Sequence, residues 1–195
     1  MRSLREESVK AALALATERG WADVRMHMIA DRLGVPLVEL AREFRDLDAI
    51  ANAWFAQVLE RVLVESSQEL DRRSPEERLL LVMGAWFEAL EPYAAVSRDM
   101  LRLKLHPSHP HHWLPMIFDL SRLMHWFLDV ARIEGTGLRR ALQEIVITGI
   151  FLGALGRWAA APKPDAERAR RHLRHCLERT GPLFAGSAGK RPATA

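Results

Sequence analysis

The sequence predicts an all-α fold of about nine helices, and three observations support that prediction. Apolar side chains recur every three or four residues through most of the 195-residue chain, which is the period of a helix with one buried face. No stretch alternates apolar and polar residues over the length of a strand. Hydrophobic residues make up 49% of the chain, which is enough to fill a core.

The first four helices have clear boundaries. The first stops at Gly20 and the second at Gly34, because glycine accommodates the backbone that ends a helix. Pro36 opens the third helix, since its fixed φ suits a first helical turn. Asp46 caps the fourth helix. Residues 1–46 are therefore expected to form a three-helix head.

The remaining helices form a larger body. Ser74-Pro75-Glu76-Glu77 starts a helix with a cap, a proline and two acids. A Gly-Thr-Gly sequence at 135–137 separates two long apolar helices, and residues 162–165 cap the last one. The sequence thus predicts a helical domain over residues 47–180. The tail over residues 181–195, which is rich in Gly, Ala and Pro, is expected to be disordered.

Composition narrows the classes of protein to consider. Cys176 is the one cysteine, so an internal disulfide is excluded. The start of the chain lacks the apolar segment of a secretory signal, and charged residues interrupt the apolar runs before the ~18 residues of a membrane span. A cytoplasmic protein is therefore expected. No phosphate-binding loop, nucleophile elbow or apolar carboxylate pair is present, so neither an enzyme nor a cofactor is expected.

Charge is distributed unevenly along the chain. Residues 1–50 carry eight Lys and Arg against nine Asp and Glu, a sum of −1. Residues 163–195 carry eight against three, a sum of +5. A nucleic-acid-binding surface normally concentrates positive charge. The basic excess therefore lies away from the N-terminal head.

Residues 20–46 nevertheless have the pattern of a helix-turn-helix. In this motif the first helix braces a second helix, which faces the major groove of DNA. Gly34 is expected to form the turn. The residues expected to be buried keep fixed offsets across that turn: Ile29, Ala30, Val35, Leu40 and Phe44.

The head resembles the N-terminal motif of the TetR family of bacterial transcriptional regulators. The matching residues are Ala12, Leu15, Gly20, Trp21, Met26, Ile29, Ala30, Gly34, Val35, Leu40, Phe44, Asp46, Asp48 and Ile50. The resemblance implies a TetR-like architecture, with a DNA-binding head, a helical body that holds a ligand, and a two-fold homodimer.

Outward positions of the head depart from that motif. Ala41 and Leu47 replace hydrogen-bond donors, and Glu39 and Glu43 bring negative charge towards DNA. The Arg42 guanidinium can donate hydrogen bonds to guanine, and the Glu39 carboxylate can accept one from the N4 amino group of cytosine. The residues predicted to contact DNA are Arg25, His27, Pro36, Leu37, Glu39, Arg42 and Arg45.

An aromatic and Met-rich set in the body suits a small hydrophobic effector, since such side chains adapt to varied apolar ligands. The predicted pocket residues are Trp86, Phe87, Trp113, Met116, Phe118 and Trp126. The other interpretation is that these side chains are ordinary core.

Three glycines interrupt the helix that follows residue 137. Gly149, Gly153 and Gly156 each cost about 1 kcal/mol relative to alanine within a helix, so a close helix–helix contact is expected to offset them. The resemblance implies that the last two helices form the dimer interface, and these glycines are predicted to mark it. The alternative is packing against the chain's own body.

The loop of residues 106–112 contains His106, His109, His111 and His112, which are capable of binding a transition metal. No carboxylate or thiol is adjacent. No physiological metal is therefore expected.

The sequence predicts a repressor that binds operator DNA and is released by a small hydrophobic effector. The alternative resembles the lipid-binding accessory proteins of ubiquinone biosynthesis, which have this fold but do not contact DNA. The acidic head supports that alternative. The basic amphipathic helix at residues 165–180 also supports it, because such a helix can lie on an anionic membrane. A purely structural interaction module is a third class.

Overall fold

A computed structural model describes residues 3–66, 70, 72–104 and 113–184. Within these ranges the regular structure is helical, which confirms the predicted all-α fold. The α-helices are α1 (Leu4–Arg19), α2 (Met26–Leu33), α3 (Leu37–Glu43), α4 (Leu47–Ser66), α5 (Pro75–Leu90), α6 (Ala94–Lys104), α7 (Trp113–Val130), α8 (Gly137–Ala160) and α9 (Ala166–Phe184). Short 3₁₀ turns follow α1 at Trp21–Asp23 and α5 at Glu91–Tyr93.

Two capping boxes fix the starts of α1 and α5. The Ser3 hydroxyl accepts a hydrogen bond from the Glu6 amide, and the Glu6 carboxylate accepts one from the Ser3 amide. Ser74 and Glu77 repeat this arrangement at α5. Each pair satisfies two amides that the helix leaves without partners, so the chain enters both helices at a defined residue.

The fold contains two hydrophobic cores. The head core is formed by α1 to α3 and the first part of α4, and it includes Val96 and Met100 from α6. The body core is formed by the rest of α4 together with α5, α7, α8 and α9. Trp54 and Phe55 of α4 pack against both cores. The head is therefore joined to the body through α4 and α6.

Residues 75–104 are long and apolar enough, by length and composition alone, to cross a membrane. Glu88 and Glu91 interrupt the apolar run of this stretch, as the sequence indicates, but these two charges alone do not take it below that threshold. In the fold this stretch is α5, a 3₁₀ turn and α6, and more than half of its most apolar 18-residue segment is buried inside the protein. Its apolar side chains serve both cores, which accounts for the hydropathy.

The last helix continues beyond its predicted end. Disorder is expected from residue 181, but α9 runs to Phe184, and both Gly181 and Phe184 are buried. The carbonyl oxygen of Leu183 accepts hydrogen bonds from Arg139 at 3.2 Å and Gln143 at 3.1 Å. These contacts from α8 hold the end of α9, so the expectation is wrong for residues 181–184.

Gly135 is required at the turn between α7 and α8. A Cβ atom at this position would lie 2.2 Å from the Oε1 atom of Gln143. Gln143 is fully buried, and its Nε2 atom donates to the carbonyl oxygens of Glu134 and Leu183. We expect Gly135→Ala to lower the free energy of unfolding by about 1 to 3 kcal/mol, as overpacking does. Chemical denaturation measures this difference.

Gly84→Ala is the matched control for that substitution. A Cβ atom at Gly84, inside α5, would meet only Arg170 side-chain atoms at 3.9 Å, an ordinary contact. Alanine is the better helix former, so this variant is expected to be as stable as the wild type or more so. Equal stability of the two variants would contradict the role assigned to Gly135.

Candidate nucleic-acid interface

The turn between α2 and α3 depends on Gly34. Its backbone is left-handed, with a φ of 66°, and its amide donates to the carbonyl oxygens of Ala30 and Asp31. The Val35 amide also donates to Ala30, at 3.1 Å. A Cβ atom at Gly34 would contact nothing within 4 Å, so the backbone conformation, not space, favours glycine. This turn sets the angle at which α3 leaves the head.

The inner side of α3 is fixed by core contacts and by one arginine from α1. Leu40 is 0% exposed and Phe44 is 2% exposed. The guanidinium of Arg5 lies 4.4 Å from the centroid of the Phe44 ring, and its Nη1 atom donates to the Glu43 carbonyl oxygen at 2.9 Å. Arg5 therefore holds the C-terminal end of α3. Sequence analysis missed this role because the partners are 38 residues apart.

The outer side of α3 carries apolar side chains and arginines. Leu37 and Val38 are 48% and 57% exposed, and Ala41, Arg42 and Arg45 are also exposed. Leu37, Val38, Ala41 and Arg42 follow the helical repeat, so they form one continuous face, and Arg45 lies two residues beyond the end of α3.

The two acids of α3, Glu39, which is among the predicted DNA contacts, and Glu43, lie to one side of that face. Glu39 is half-buried, and Glu43, four residues later, shares its side of the helix. Pro36 is exposed directly before α3. Negative charge therefore flanks the outer face and does not occupy its centre.

Most cations of the head are engaged within the protein. Arg25 donates to the carbonyl oxygens of Ala22 at 2.7 Å and Val24 at 2.8 Å. Arg45 pairs with Asp46 at 2.9 Å.

Arg32 pairs with Glu18, and its hydrogen bond holds the pKa of that carboxyl below its usual range. By contrast, Arg42 and His27 are exposed and have no hydrogen-bond or ion-pair partner among the described residues. These two are the head cations best placed to meet an anion.

Polar contacts link the first turns of α4 to α6. Lys104 forms an ion pair with Asp48 and donates to the Asn52 amide oxygen at 2.8 Å. Farther along α4, the indole of Trp54 donates to the Ser97 hydroxyl at 2.9 Å. Because α4 begins directly after the head, a displacement of α6 would be transmitted to it.

Two open clefts lie between head and body. The larger, of about 420 Å³, is lined by Glu6, Lys10, Leu13, Trp54, Gln57 and Tyr93. The smaller, of about 270 Å³, is lined by Gly20, Trp21, Ala22, Asp99, Arg102 and Leu103. None of the predicted effector residues lines either cleft.

The predicted effector residues are only partly brought together. Trp86 and Phe87 are buried in α5, with ring centroids 5.2 Å apart, and Trp86 also contacts Phe151 at 5.2 Å. The Nε1 atom of Trp86 is buried and has no hydrogen-bond partner among the residues that the structure describes. Trp126 is 44% exposed on α7. The side chains of Trp113, Met116 and Phe118 lie outside the described part of the chain.

An apolar stripe, which we call the α8 stripe, runs along the surface of α8. Its members are spaced by alternating intervals of four and three residues: Leu138, Leu142, Ile145, Gly149, Leu152 and Gly156. Leu138 is 86% exposed and Ile145 is 68% exposed. The spacing is that of a helix seam, and 18 residues of rise make the stripe about 27 Å long. Gly149 and Gly156 have open space where a Cβ would lie.

Gly153 has a different environment from the other two glycines. A Cβ atom there would lie 2.6 Å from the Nε2 atom of His172, so Gly153 makes room for that imidazole between α8 and α9. Burial, Arg157 and His175 lower the pKa of His172, which favours the neutral ring there. Gly153 thus serves a contact within the chain, which is the alternative that the sequence left open.

The apolar side of α9 is buried within the protein. Leu173 is 0% exposed and Leu177 is 1% exposed, because α9 packs between α5 and α8. The arginines Arg168, Arg171, Arg174 and Arg179 face outward. The helix therefore has no free apolar side to insert into a membrane, and one of the two features that favoured the lipid-binding alternative is absent.

No group of three or more metal-ligating side chains occurs among the residues that the structure describes. The histidine-rich loop at residues 106–112 lies outside them.

Neither a protein-family model nor a curated protein matches the sequence. Solved structures do match. A TetR transcriptional regulator from Nitrosomonas europaea is 28% identical, with a TM-score of 0.79, over 92% of this chain and 99% of that one. A TetR transcriptional regulator from a Rhodococcus species is 21% identical, with a TM-score of 0.68, over 94% and 97%.

A TetR-family regulator from Thermus thermophilus is 20% identical, with a TM-score of 0.52, over 88% of this chain and 97% of that one. The likeness covers the head and the body together in all three cases. It confirms the resemblance that the N-terminal motif indicated. The chain has the fold of the TetR-family transcriptional regulators.

Proposed function

We propose that the protein is a TetR-family transcriptional regulator, a repressor that binds operator DNA through its head. The observation that carries this proposal is the likeness to a TetR transcriptional regulator at 28% identity over 92% of the chain. The outer face of α3 supports the proposal, because this face is exposed and the acidic side chains of the helix lie at its flank. A regulator of this kind would act in the cytoplasm.

In the proposed complex, α3 enters the major groove with its N-terminal residues towards the bases, as in other helix-turn-helix proteins. Arg42 donates to guanine, and Glu39 accepts from a cytosine at the edge of the contact. His27 and, after breaking its pairing with Asp46, Arg45 approach phosphates. Arg25 needs to release its two carbonyl partners before it can do the same.

The proposed regulator is a homodimer that joins through α8 and α9. The α8 stripe supports this arrangement, since a continuous apolar seam exposed to water marks an interaction surface. In a two-fold dimer the same stripe meets its own copy. Gly149 and Gly156 would let the two helices approach closely.

The effector is proposed to be a small hydrophobic molecule that binds in the body beside Trp86 and Phe87. The unpartnered indole N–H of Trp86 supports this position, because a ligand acceptor would satisfy a buried donor there. Binding would shift the population of body conformations. The Lys104 contacts to Asp48 and Asn52 would pass the change from α6 to α4, and so to the spacing of the two heads.

A salt series on the DNA upstream of the protein's own gene tests the proposal. We expect wild-type protein to bind a specific segment of this DNA and to lose affinity steeply as salt rises from 50 to 200 mM, a range over which a protein with six to ten phosphate contacts loses roughly 10³- to 10⁵-fold. Few cations are free among the described residues of the head, so we expect the affinity to fall with salt at the shallow end of that range. Fluorescence anisotropy measures it. Negligible binding at every salt concentration would overturn the proposal.

A further inference from the structure

The outer face of α3 carries two large apolar side chains that do not pack into the head core. In residues 3–46, Leu37 and Val38 are the large hydrophobic residues that are exposed, at 48% and 57%. The buried anchors of the same helix and its flank, Leu40 and Phe44, are almost fully covered. Leu37 and Val38 therefore contribute little to the head core. They are the first two residues of α3, and the N-terminal residues of a recognition helix are the ones that contact base edges in the major groove.

The chemistry of this face limits what it can recognise. Leu37, Val38 and Ala41 have no side-chain donor or acceptor. In the major groove the apolar group that distinguishes one base pair from another is the C5-methyl of thymine. Ala41 is short, so it lets the helix sit deep enough for its longer neighbours to reach a base edge.

We propose that Leu37 and Val38 select thymine methyl groups in the operator half-site, next to a guanine bound by Arg42. This inference rests on the proposed DNA-binding function. Leu37 and Arg42 are five residues apart, which is a rise of about 7.5 Å along α3, or roughly two base steps. The half-site is thus expected to contain thymine and guanine within about two base pairs of each other.

The test removes single methyl groups from the DNA. After footprinting locates the bound segment upstream of the gene, each thymine in it is replaced in turn by deoxyuridine, which keeps base pairing and lacks only the C5-methyl. At one or two thymines per half-site we expect the affinity to fall about fourfold, the usual effect of losing one buried methyl, and about tenfold or more when both half-sites are changed. Thymines outside the footprint serve as controls.

Leu37→Ala connects the effect to the side chain. This variant is expected to bind thymine and deoxyuridine operators equally at the position that Leu37 contacts, while Val38→Ala keeps the discrimination there. Circular dichroism checks that both variants are folded. Binding measurements on the same DNA also distinguish a failure of the thymine inference from a failure of the proposed DNA-binding function.

Tight binding with no loss at any deoxyuridine would overturn the thymine inference and leave the regulator proposal standing. A loss of affinity at a deoxyuridine that persists in both the Leu37→Ala variant and the Val38→Ala variant would also overturn the thymine inference. Failure to bind the upstream DNA at all would overturn both proposals.

Discussion

Replacing Arg42 with alanine is expected to lower operator affinity by at least about tenfold, because a bidentate arginine–guanine contact contributes about 1 to 3 kcal/mol in each half-site. The expectation follows from the position of this side chain. Arg42 is exposed on the outer face of α3 and has no partner among the described residues, so no internal contact competes with DNA. Anisotropy titration of the operator at fixed salt measures the change.

Arg122→Ala is the matched control for Arg42→Ala. Arg122 lies on α7, and its side chain is 71% exposed in an ion pair with Asp119. Its replacement removes the same charge from the protein at a site distant from the head. Operator affinity is expected to stay within about twofold of the wild type, since a distant surface charge is largely screened. Equal losses in both variants would show that net charge, not the position of Arg42, governs binding.

Replacing Ile145 with glutamate is expected to dissociate the proposed dimer. Ile145 lies at the middle of the α8 stripe and is 68% exposed in the single chain. In a two-fold interface two glutamates would face each other in an apolar seam, where like charges are strongly destabilising. Sedimentation equilibrium at micromolar concentration should give the mass of one chain for the variant and of two chains for the wild type. Operator affinity should fall when the dimer dissociates, because two linked heads bind far more tightly than one.

Val64→Glu controls for adding a charge at an exposed apolar position. Val64 is 69% exposed on α4, away from the α8 stripe. The variant is expected to remain dimeric. A monomeric wild type, or an Ile145→Glu variant that keeps the mass of two chains, would contradict the assignment of the stripe.

The sequence predicted the inner half of the helix-turn-helix well. Gly34 adopts the left-handed turn, and Leu40 and Phe44 are buried, since each of these roles depends on spacing within one short segment. The same locality explains the capping box at Ser74. Periodicity and turn chemistry act over a few residues, so they are visible in a sequence.

The outer half of the motif was harder to predict because it depends on distant partners. Arg25 is expected to meet phosphates, yet it donates to two nearby carbonyl oxygens in the structure. Arg5 holds α3 from 38 residues away. Glu43 is expected to bring negative charge towards DNA, but it lies beside Glu39 on the flank of α3. Rotation of a helix of seven residues about its axis is set by such contacts, and pattern alone does not give it.

In the body, as in the head, local features are visible in the sequence and features that depend on distant contacts are not. The glycines of α8 are recognisable as unusual, but their separate roles follow from three-dimensional neighbours. Gly153 accommodates His172, whereas Gly149 and Gly156 lie on the exposed α8 stripe. Similarly, the hydrogen bond from Gln143 to Leu183 spans 40 residues, and it ties the last turn of α9 to α8.

Two copies of this head are proposed to hold one operator, and hydroxyl-radical footprinting of the upstream DNA tests this arrangement most directly. Wild-type protein should protect two half-sites related by two-fold symmetry, with centres about 34 to 36 Å apart or a multiple of that distance, as for other dimeric helix-turn-helix proteins. Stoichiometric titration should give two chains for each protected segment. Uniform protection along the DNA, or none, would contradict the claim.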